Sequence, residues 1–317
     1  MTLAVGVDIG GTKIATGLVS EDGKILDSVS EPTPDDATKI PAVVADLVER
    51  LVGDEQAAGI GIGAAGFVGE DRSTVRFAPN IDWREEPLGE RVRALVDLPV
   101  VVENDANAAA WGEFRFGAGE DTDDLLLVTI GTGIGGGIVH RGRLFRGGFG
   151  VAAEIGHMRV VPDGILCGCG QHGCWEQYAS GSALVRNARE RVANEDEGSE
   201  AIAALGDGDL SKITGPAITK LAQQGDALAI ELLAELGRWM GEGIAVLSAI
   251  LDPSVIAIGG GVGAAGDLLM TPVVEAFEAH LPARAHRPEA ALRLAALGNE
   301  AGIIGAADLA RVEPNHG

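Results

Sequence analysis

Three glycine-rich turns in the sequence combine groups that bind phosphate. The first is Asp8-Ile9-Gly10-Gly11-Thr12-Lys13, where a carboxylate precedes two glycines, a hydroxyl and an ammonium group. Glycine lacks a Cβ, so the backbone N–H groups around it can approach an anion closely. Gly131-Thr132-Gly133 and Gly259-Gly260-Gly261 are two further turns of this kind. Three such turns in one chain favour a nucleotide-binding protein.

The first turn is not a Walker A loop. Its residue order does not fit G-x-x-x-x-G-K-[ST], and the apolar residues after Lys13 predict a strand where a Walker loop leads into a helix. The segment around 131–133 has the same layout of apolar strand, Gly/Thr turn and apolar strand. The two halves therefore resemble a diverged duplication.

A polar run, Glu103-Asn104-Asp105-Ala106-Asn107, stands between an apolar segment and an alanine-rich segment. In isolation, Asn104 or Asp105 would be interpreted as the cap of a helix. Phosphate turns on either side favour another role, because phosphoryl transfer needs a carboxylate that accepts the proton of the attacking hydroxyl. The sequence thus predicts Asp105 as a general base.

The three cysteines of the chain lie in one glycine-rich loop, at Cys167, Cys169 and Cys174. Three thiolates at this spacing predict a tetrahedral zinc site that needs one more ligand. His172, inside the loop, and His157, ten residues upstream, are both candidates, and the residues alone leave the choice open. A closed site of this kind would be structural.

Glu154, His157 and Glu176 flank the cysteine loop. Carboxylate and imidazole groups are those that hydrogen-bond the hydroxyls of a sugar. Either glutamate could equally be an ordinary surface residue. These three side chains are therefore candidates for a polar substrate site.

Composition limits the classes of function. With 317 residues, of which 46% are hydrophobic, the chain can form two domains. A formal charge of −23 argues strongly against a protein that binds the phosphate backbone of nucleic acids. The first apolar run contains Asp8 and has no basic leader, and the long uncharged stretches at 125–140 and 253–266 are too short to span a bilayer. We expect a soluble, cytoplasmic protein with no membrane partner.

Hydrophobic periodicity predicts an α/β chain throughout. The predicted strands cover 3–9, 14–19, 25–29, 59–65, 99–103, 255–258 and 292–297, with a hairpin over 125–140. The predicted helices cover 40–51, 106–116, 182–192, 216–223, 226–251 and 268–280, and a last one begins near residue 300. The acidic, glycine-rich segment 195–209 predicts a surface loop. Ligand contacts are expected at the ends of the strands.

Together these motifs resemble those of the ROK family, which contains repressors, uncharacterised reading frames and sugar kinases. The segments that carry the resemblance, besides the three glycine turns and residues 103–107, are Ala153-Glu154-Ile155-Gly156-His157 and the cysteine loop through Glu176. Within the family, residues 160–164 and 173–181 look like those of glucokinases from high-GC Gram-positive bacteria. The resemblance implies the two-lobed, actin-like ATPase fold of hexokinases, with a cleft between the lobes. The small lobe would comprise residues 1–105 plus 300–317, and the large lobe 106–299, with the zinc loop.

The resemblance also implies an activity, the ATP-dependent phosphorylation of glucose at its 6-hydroxyl, and a role for each motif residue. Asp105 would be the base, and the sugar contacts would be Gly66, Asn80, Asn104, Asp105, Glu154, His157 and Glu176. The structural Zn²⁺ would be held by His157, Cys167, Cys169 and Cys174. Asp8 would orient Mg²⁺ through water, and Thr12 and Thr132 would bind phosphate oxygens. The nucleotide-binding set would be Asp8, Gly10, Gly11, Thr12, Lys13, Gly131, Thr132, Gly133, Gly259, Gly260 and Gly261. Family kinases are commonly homodimers or homotetramers.

Other members of the family give the alternatives. Kinases for fructose, mannose, N-acetylmannosamine or N-acetylglucosamine differ in pocket details that the sequence does not reveal. Polyphosphate-dependent glucokinases, by resemblance, lack the cysteine loop, which disfavours that donor. A repressor would need a DNA-binding segment ahead of Asp8, and a non-catalytic sugar sensor would not need both phosphate turns and Asp105.

Overall fold

The computed structural model describes residues 2–53, 55–78 and 81–312. The contacts within the chain divide it into two compact units. The first unit comprises Met1–Leu127, Gly136–Ala153 and Ala295–Gly317, and the second comprises Val128–Gly135 and Glu154–Leu294. No helix among the described residues is both long enough and apolar enough to span a membrane.

The first unit is built on a five-stranded sheet and a small three-stranded sheet. Their strands are β1 (Leu3–Ile9), β2 (Lys13–Val19), β3 (Ile25–Pro32), β4 (Ala57–Ala64), β5 (Phe67–Val68), β6 (Val75–Ala78), β7 (Trp83–Glu86) and β8 (Val100–Asn104). The larger sheet has the order β3-β2-β1-β4-β8, and the smaller one β5-β6-β7. β1 pairs with β2 antiparallel, whereas β1, β4 and β8 are parallel. The carboxyl ends of these three parallel strands therefore meet at one edge.

Helices cover both faces of the larger sheet, which is why its central strands are apolar almost throughout. The helices of this unit are α1 (Ile40–Val52), α2 (Leu88–Arg93), α3 (Asp105–Phe116) and α10 (Ala301–Val312). Val5 and Val7 of β1 share a buried cluster with residues of α1, while Ala4 packs with residues of α10. A Cβ at Gly6 would lie 1.9 Å from the carbonyl oxygen of Ile303, so glycine lets α10 lie directly on the strand.

A second five-stranded sheet has the order β11-β10-β9-β12-β13. Its strands are β9 (Leu125–Ile130), β10 (Ile134–His140), β11 (Arg143–Leu144), β12 (Val255–Gly259) and β13 (Ala291–Leu294). The remaining helices belong to the second unit: α4 (Glu176–Ala179), α5 (Gly181–Ala193), α6 (Glu200–Ala204), α7 (Gly215–Gln223), α8 (Ala227–Leu251) and α9 (Asp267–His280).

Most of the predicted strands and helices are present, with ends within two residues of the expected ones. The surface loop predicted at 195–209 is wrong in part, because it contains α6, which buries Ile202 completely. β3 runs on to Pro32 instead of ending near residue 29. Proline is tolerated there because β3 is the edge strand of its sheet.

The compact units differ from the predicted lobes, 1–105 with 300–317 and 106–299, at residues 106–127, 136–153 and 295–299. The physical reason is the packing of α3 on α10. The indole Nε1 of Trp111 donates to Asp308 Oδ2 at 2.9 Å, and a Cβ at Gly112 would lie 2.5 Å from the carbonyl oxygen of Ala301. The compact units are defined by contacts within the chain, whereas the predicted lobes are the two sides of a cleft. The lobe boundaries therefore stay a prediction.

Candidate functional site

The shared edge of β1, β4 and β8 carries four of the predicted site residues. β1 contains Asp8 near its end, and β8 ends at Asn104, directly before Asp105. The Asn104 side chain accepts the N–H of Asn107 at 3.0 Å, which caps α3, and its Nδ2 donates to the carbonyl oxygen of Gly66 at 3.1 Å. Asn104 thus fixes the turn after β4 to the start of α3.

Gly66 stands where a side chain cannot fit. A Cβ at this position would lie 2.4 Å from the carbonyl oxygen of Phe77. Its own carbonyl oxygen is the acceptor for Asn104. The fourth sugar candidate predicted near this edge, Asn80, lies outside the described residues.

Asp105 is the first residue of α3 and is partly buried. Burial raises the pKa of its carboxyl group above the ordinary value of 3.8, while the backbone N–H of Ala106, which donates to Oδ1 at 2.9 Å, acts in the opposite direction. A carboxylate with a raised pKa is a stronger base, which suits it to accept a proton.

The negative charge of Asp105 acts on the carboxyl group of Asp8. Burial, and then the neighbouring carboxylate, raise the pKa of Asp8 from 3.8 to about 6, while Lys13 lowers it. A carboxylate whose pKa is raised by a neighbouring carboxylate favours a bound cation, because the cation relieves the repulsion. Asp8 and Asp105 are therefore suited to a divalent metal as well as to base catalysis.

An ionic cluster that the sequence analysis missed supports the same strand end. Glu103 is 1% exposed, and its Oε2 lies 3.2 Å from Arg72 Nη2 and 2.8 Å from Arg146 Nε. Its Oε1 accepts the N–H of Asn104 at 2.9 Å and the amide of Asn107 at 3.1 Å. The charge of two arginines thus holds the carboxylate that immediately precedes the Asn104-Asp105 pair.

Arg146 extends this cluster to the loop after β5. Its Nη2 donates to the carbonyl oxygen of Gly69 at 2.8 Å. Glu103, Arg72 and Arg146 are separated by dozens of residues along the chain and follow no local spacing rule. A sequence signal could have come only from noting that Glu103 lies in an apolar strand, where a carboxylate needs a buried partner.

The glycine turn after β1 is open to solvent. Gly10 donates its N–H to the carbonyl oxygen of Lys13 at 3.0 Å, and the hydroxyl of Thr33 donates to the carbonyl oxygen of Gly10 at 2.7 Å. The first bond closes the turn, and the second attaches it to the residue that follows β3. Gly11, Thr12 and Lys13 are exposed, so their polar groups are accessible to a ligand.

The two glycine turns of the second unit come together. Gly131 donates its N–H to the carbonyl oxygen of Gly133 at 3.0 Å, and the N–H groups of Gly181 and Ser182 at the start of α5 donate to the carbonyl oxygens of Gly131 and Thr132. Gly260 has a φ of 91°, and a Cβ there would lie 2.2 Å from the carbonyl oxygen of Ile130. Only glycine fits at position 260, beside the end of β9.

A cavity of about 820 Å³ in the second unit opens at these turns. Gly131, Thr132 and Gly261 line it, together with residues of α5, α7 and the segment between them. The volume is within the range of small-molecule sites. Arg186, Arg189 and Thr214 line it as well. The sequence analysis missed all three, because two separate segments, α5 and the residues before α7, bring them to the cavity.

The cysteine loop forms a compact group with His157. The ligand atoms of His157, Cys167, Cys169 and Cys174 all lie within 4.8 Å of one another. The sulfurs of Cys169 and Cys174 are 3.6 Å apart, and His157 Nδ1 is 3.6 Å from the sulfur of Cys167. Zn–S bonds of about 2.3 Å in a tetrahedron require sulfurs roughly 3.7 Å apart, so the group fits zinc.

His172 lies elsewhere. It is exposed, it pairs with Leu166 in an antiparallel bridge, and its Nδ1 is 2.8 Å from the carbonyl oxygen of Gly164. Of the two histidines that the residues alone left open, the structure groups His157 with the cysteines.

Glu176 lies beside this metal group and beside the second phosphate turn. Its Oε1 is 3.0 Å from the sulfur of Cys167 and 3.8 Å from His157 Nδ1. A Cβ at Gly133 would lie 2.6 Å from its Oε2. Glu154 is exposed and precedes the 3₁₀ turn Ile155–His157, which carries the histidine. The second unit thus brings His157 and Glu176 together beside the loop, and Glu154 stands three residues before His157.

Comparison with known proteins gives consistent results. The ROK family model matches residues 4–313. The chain is 52% identical to a glucokinase of Streptomyces coelicolor over 315 residues, which are 99% of both chains. A crystal structure of a ROK family glucokinase from Streptomyces griseus, in complex with glucose and AMPPNP, has a TM-score of 0.88 and 52% identity, over 98% of this chain and 99% of that one. A ROK hexokinase from Thermus thermophilus has a TM-score of 0.83 and 34% identity, over 98% and 99%.

Proposed function

Because the chain belongs to the ROK family and has its α/β, actin-like ATPase fold, we propose that it is a glucokinase that transfers the γ-phosphoryl group of ATP to the 6-hydroxyl of glucose. The observation that carries this proposal is the 52% identity, along 99% of both chains, to a Streptomyces glucokinase. The groups at the candidate site are those that the reaction needs, each in a chemically suitable environment.

In the first unit, Asp105 accepts the proton of the 6-hydroxyl while the sugar oxygen attacks the γ-phosphorus and ADP leaves. Its raised pKa supports this role, since it makes the carboxylate a stronger base at the pH where it is still ionised. Asn104 and the carbonyl of Gly66 hydrogen-bond the sugar, and Asn80 is a further sugar contact. Thr12, with the open turn from Gly10 to Lys13, binds phosphate oxygens.

Asp8 would hold Mg²⁺ through water. Its environment supports this role, because a cation would relieve the repulsion between Asp8 and Asp105. When bound, Mg²⁺ neutralises charge on the phosphate oxygens.

In the second unit, the cavity beside Gly131, Thr132 and Gly261 accepts the nucleoside of ATP, with the Thr132 hydroxyl on phosphate. Glu154, His157 and Glu176 bind hydroxyls of the sugar. His157, Cys167, Cys169 and Cys174 would hold Zn²⁺, which would supply a structural cross-link for the loop. Since Nδ1 of His157 faces the sulfurs, its Nε2 remains for a hydroxyl.

The test is a coupled assay of the purified protein with glucose, fructose, mannose, N-acetylmannosamine and N-acetylglucosamine, each with ATP and with polyphosphate. We expect the highest kcat/KM for glucose with ATP. A higher value for an amino sugar or for polyphosphate would overturn the proposal. Light scattering on the same sample checks the predicted homodimer or homotetramer.

A further inference from the structure

Arg186 in α5 is a cavity-lining residue with a second contact. It lines the cavity of about 820 Å³, and its side chain is 30% exposed. Its Nη2 donates to the carbonyl oxygen of Gln177 at 2.7 Å and to Asn187 Oδ1 at 2.9 Å. One side chain thus contacts both the cavity and α4.

The contact with α4 is at a sensitive position. α4 has four residues, so its carbonyl groups have few partners within the helix, and a cation near its C-terminal end is favourable. Gln177 directly follows Glu176, whose carboxylate is 3.0 Å from the sulfur of Cys167. A displacement of Gln177 therefore displaces the neighbouring carboxylate.

Other contacts hold α4 and the residue before it to neighbouring segments. The Tyr178 hydroxyl accepts the N–H of Ile165 at 2.9 Å, and Trp175 Nε1 donates to the carbonyl oxygen of Trp239 at 2.7 Å. These bonds attach α4 to the cysteine loop and to α8, independently of any ligand in the cavity. Arg186 is the cavity-facing counterpart of these contacts.

We propose that Arg186 is a positioning residue that couples the two substrates of the proposed kinase: a nucleotide in the cavity orders its guanidinium, which holds Gln177 and thereby aims Glu176 at the sugar. The proposal rests on the proposed function. Because coupling between two binding equilibria is reciprocal, glucose held by Glu176 also raises the affinity for the nucleotide.

Arg189 provides a matched control on the same helix. It also lines the cavity, one turn further along α5. Its Nη2 donates to the carbonyl oxygens of Ser211 at 2.8 Å and Ile213 at 3.0 Å, which belong to the far wall of the cavity and not to α4. Loss of Arg189 removes an equivalent charge from the cavity and leaves the bond to Gln177 intact.

The test is calorimetric titration of glucose into the full-length protein, with and without saturating AMPPNP and Mg²⁺. In the wild type we expect AMPPNP to lower the Kd for glucose about fivefold or more, the lower range of typical coupling. Arg186→Met should bring this ratio close to one, with unchanged zinc content. Arg189→Met should weaken AMPPNP binding and keep the wild-type ratio once AMPPNP is saturating.

Three results would overturn the proposal: a wild-type ratio of one, an unchanged ratio in Arg186→Met, or an equal loss in Arg189→Met. If Arg186→Met does not fold, Arg186→Gln removes the guanidinium while keeping a polar side chain, and an undiminished ratio in that variant is equally decisive. A wild type that neither binds nor phosphorylates glucose refutes the proposed function itself. An active glucokinase with the same ratio in all variants refutes only the role of Arg186.

Discussion

Glu103→Gln isolates the charge of the buried cluster that supports the Asn104-Asp105 pair. Glutamine has nearly the same shape and keeps an oxygen that can accept the N–H of Asn104 and the amide of Asn107. What the substitution removes is the negative charge next to Arg72 and Arg146. These two arginine side chains are only 15% and 14% exposed, so water cannot replace the lost partner well.

The expected cost is large. Removing one partner of a buried ion pair destabilises a protein by about 3–5 kcal/mol, because a charge stays buried without compensation. For a unit of this size, each kcal/mol lowers the melting temperature by about 2–4 °C, so we expect a decrease of roughly 6–20 °C. Since Asn104 and Asp105 directly follow residue 103, misplacement of the base should also lower kcat roughly ten- to a hundredfold.

Glu113→Gln is the matched control for this experiment. Glu113 is also fully buried, but its carboxylate accepts the N–H groups of Ala118, Ala296 and Leu297. Loss of this carboxylate should lower the free energy of unfolding by about 1–3 kcal/mol and leave kcat within about twofold of the wild type. Thermal denaturation and steady-state kinetics measure both quantities. A melting temperature of Glu103→Gln within about 2 °C of the wild type, or an equal loss of kcat in both variants, would refute the reasoning.

Two further predictions concern the metals. Cys169→Ser should lose zinc, measured by elemental analysis, and should raise the KM for glucose more than that for ATP, because the loop that carries His157 and Glu176 loses its cross-link; unchanged metal content would count against the site. A pKa of Asp8 raised from 3.8 to about 6 means that its ionised form costs about 3 kcal/mol in the folded protein. Without Mg²⁺, Asp8→Asn should therefore unfold at higher temperature than the wild type above pH 6. This gain should decrease as the pH falls below 6 and vanish below about pH 3, where Asp8 is protonated in both the folded and the unfolded state, and a gain that is independent of pH would contradict the assignment.

The local features of the fold were predictable from sequence because short-range rules determine them. Apolar runs bounded by Gly-Gly turns predict β1 and β2, and the polar run before an alanine-rich segment predicts the start of α3 at Asp105. α6 was missed because its composition is that of a loop. It packs against α5 and α7 and buries Ile202 completely, and this burial is a tertiary property that composition does not reveal.

The sequence motifs of the site were predictable, but the residues that hold these motifs in place were not. The spacing of the cysteines indicates a metal-binding loop, but the fourth ligand depends on the tertiary structure. His172 contacts the carbonyl oxygen of Gly164, whereas His157 lies beside Cys167. Glu103 and Arg146 pair across 43 positions of the sequence, and Arg186 acts through a backbone carbonyl. Such contacts arise from tertiary packing and leave no periodic signal in the chain.

The most direct test of the central claim is the activity of Asp105→Asn with ATP and glucose. Asparagine has the shape of the aspartate and cannot accept the proton of the 6-hydroxyl. We expect kcat to decrease about a hundredfold or more, as for the loss of a general base, while the Kd for glucose by calorimetry stays within about threefold of the wild type. Turnover close to that of the wild type would contradict the assignment of Asp105 as the base of a glucokinase.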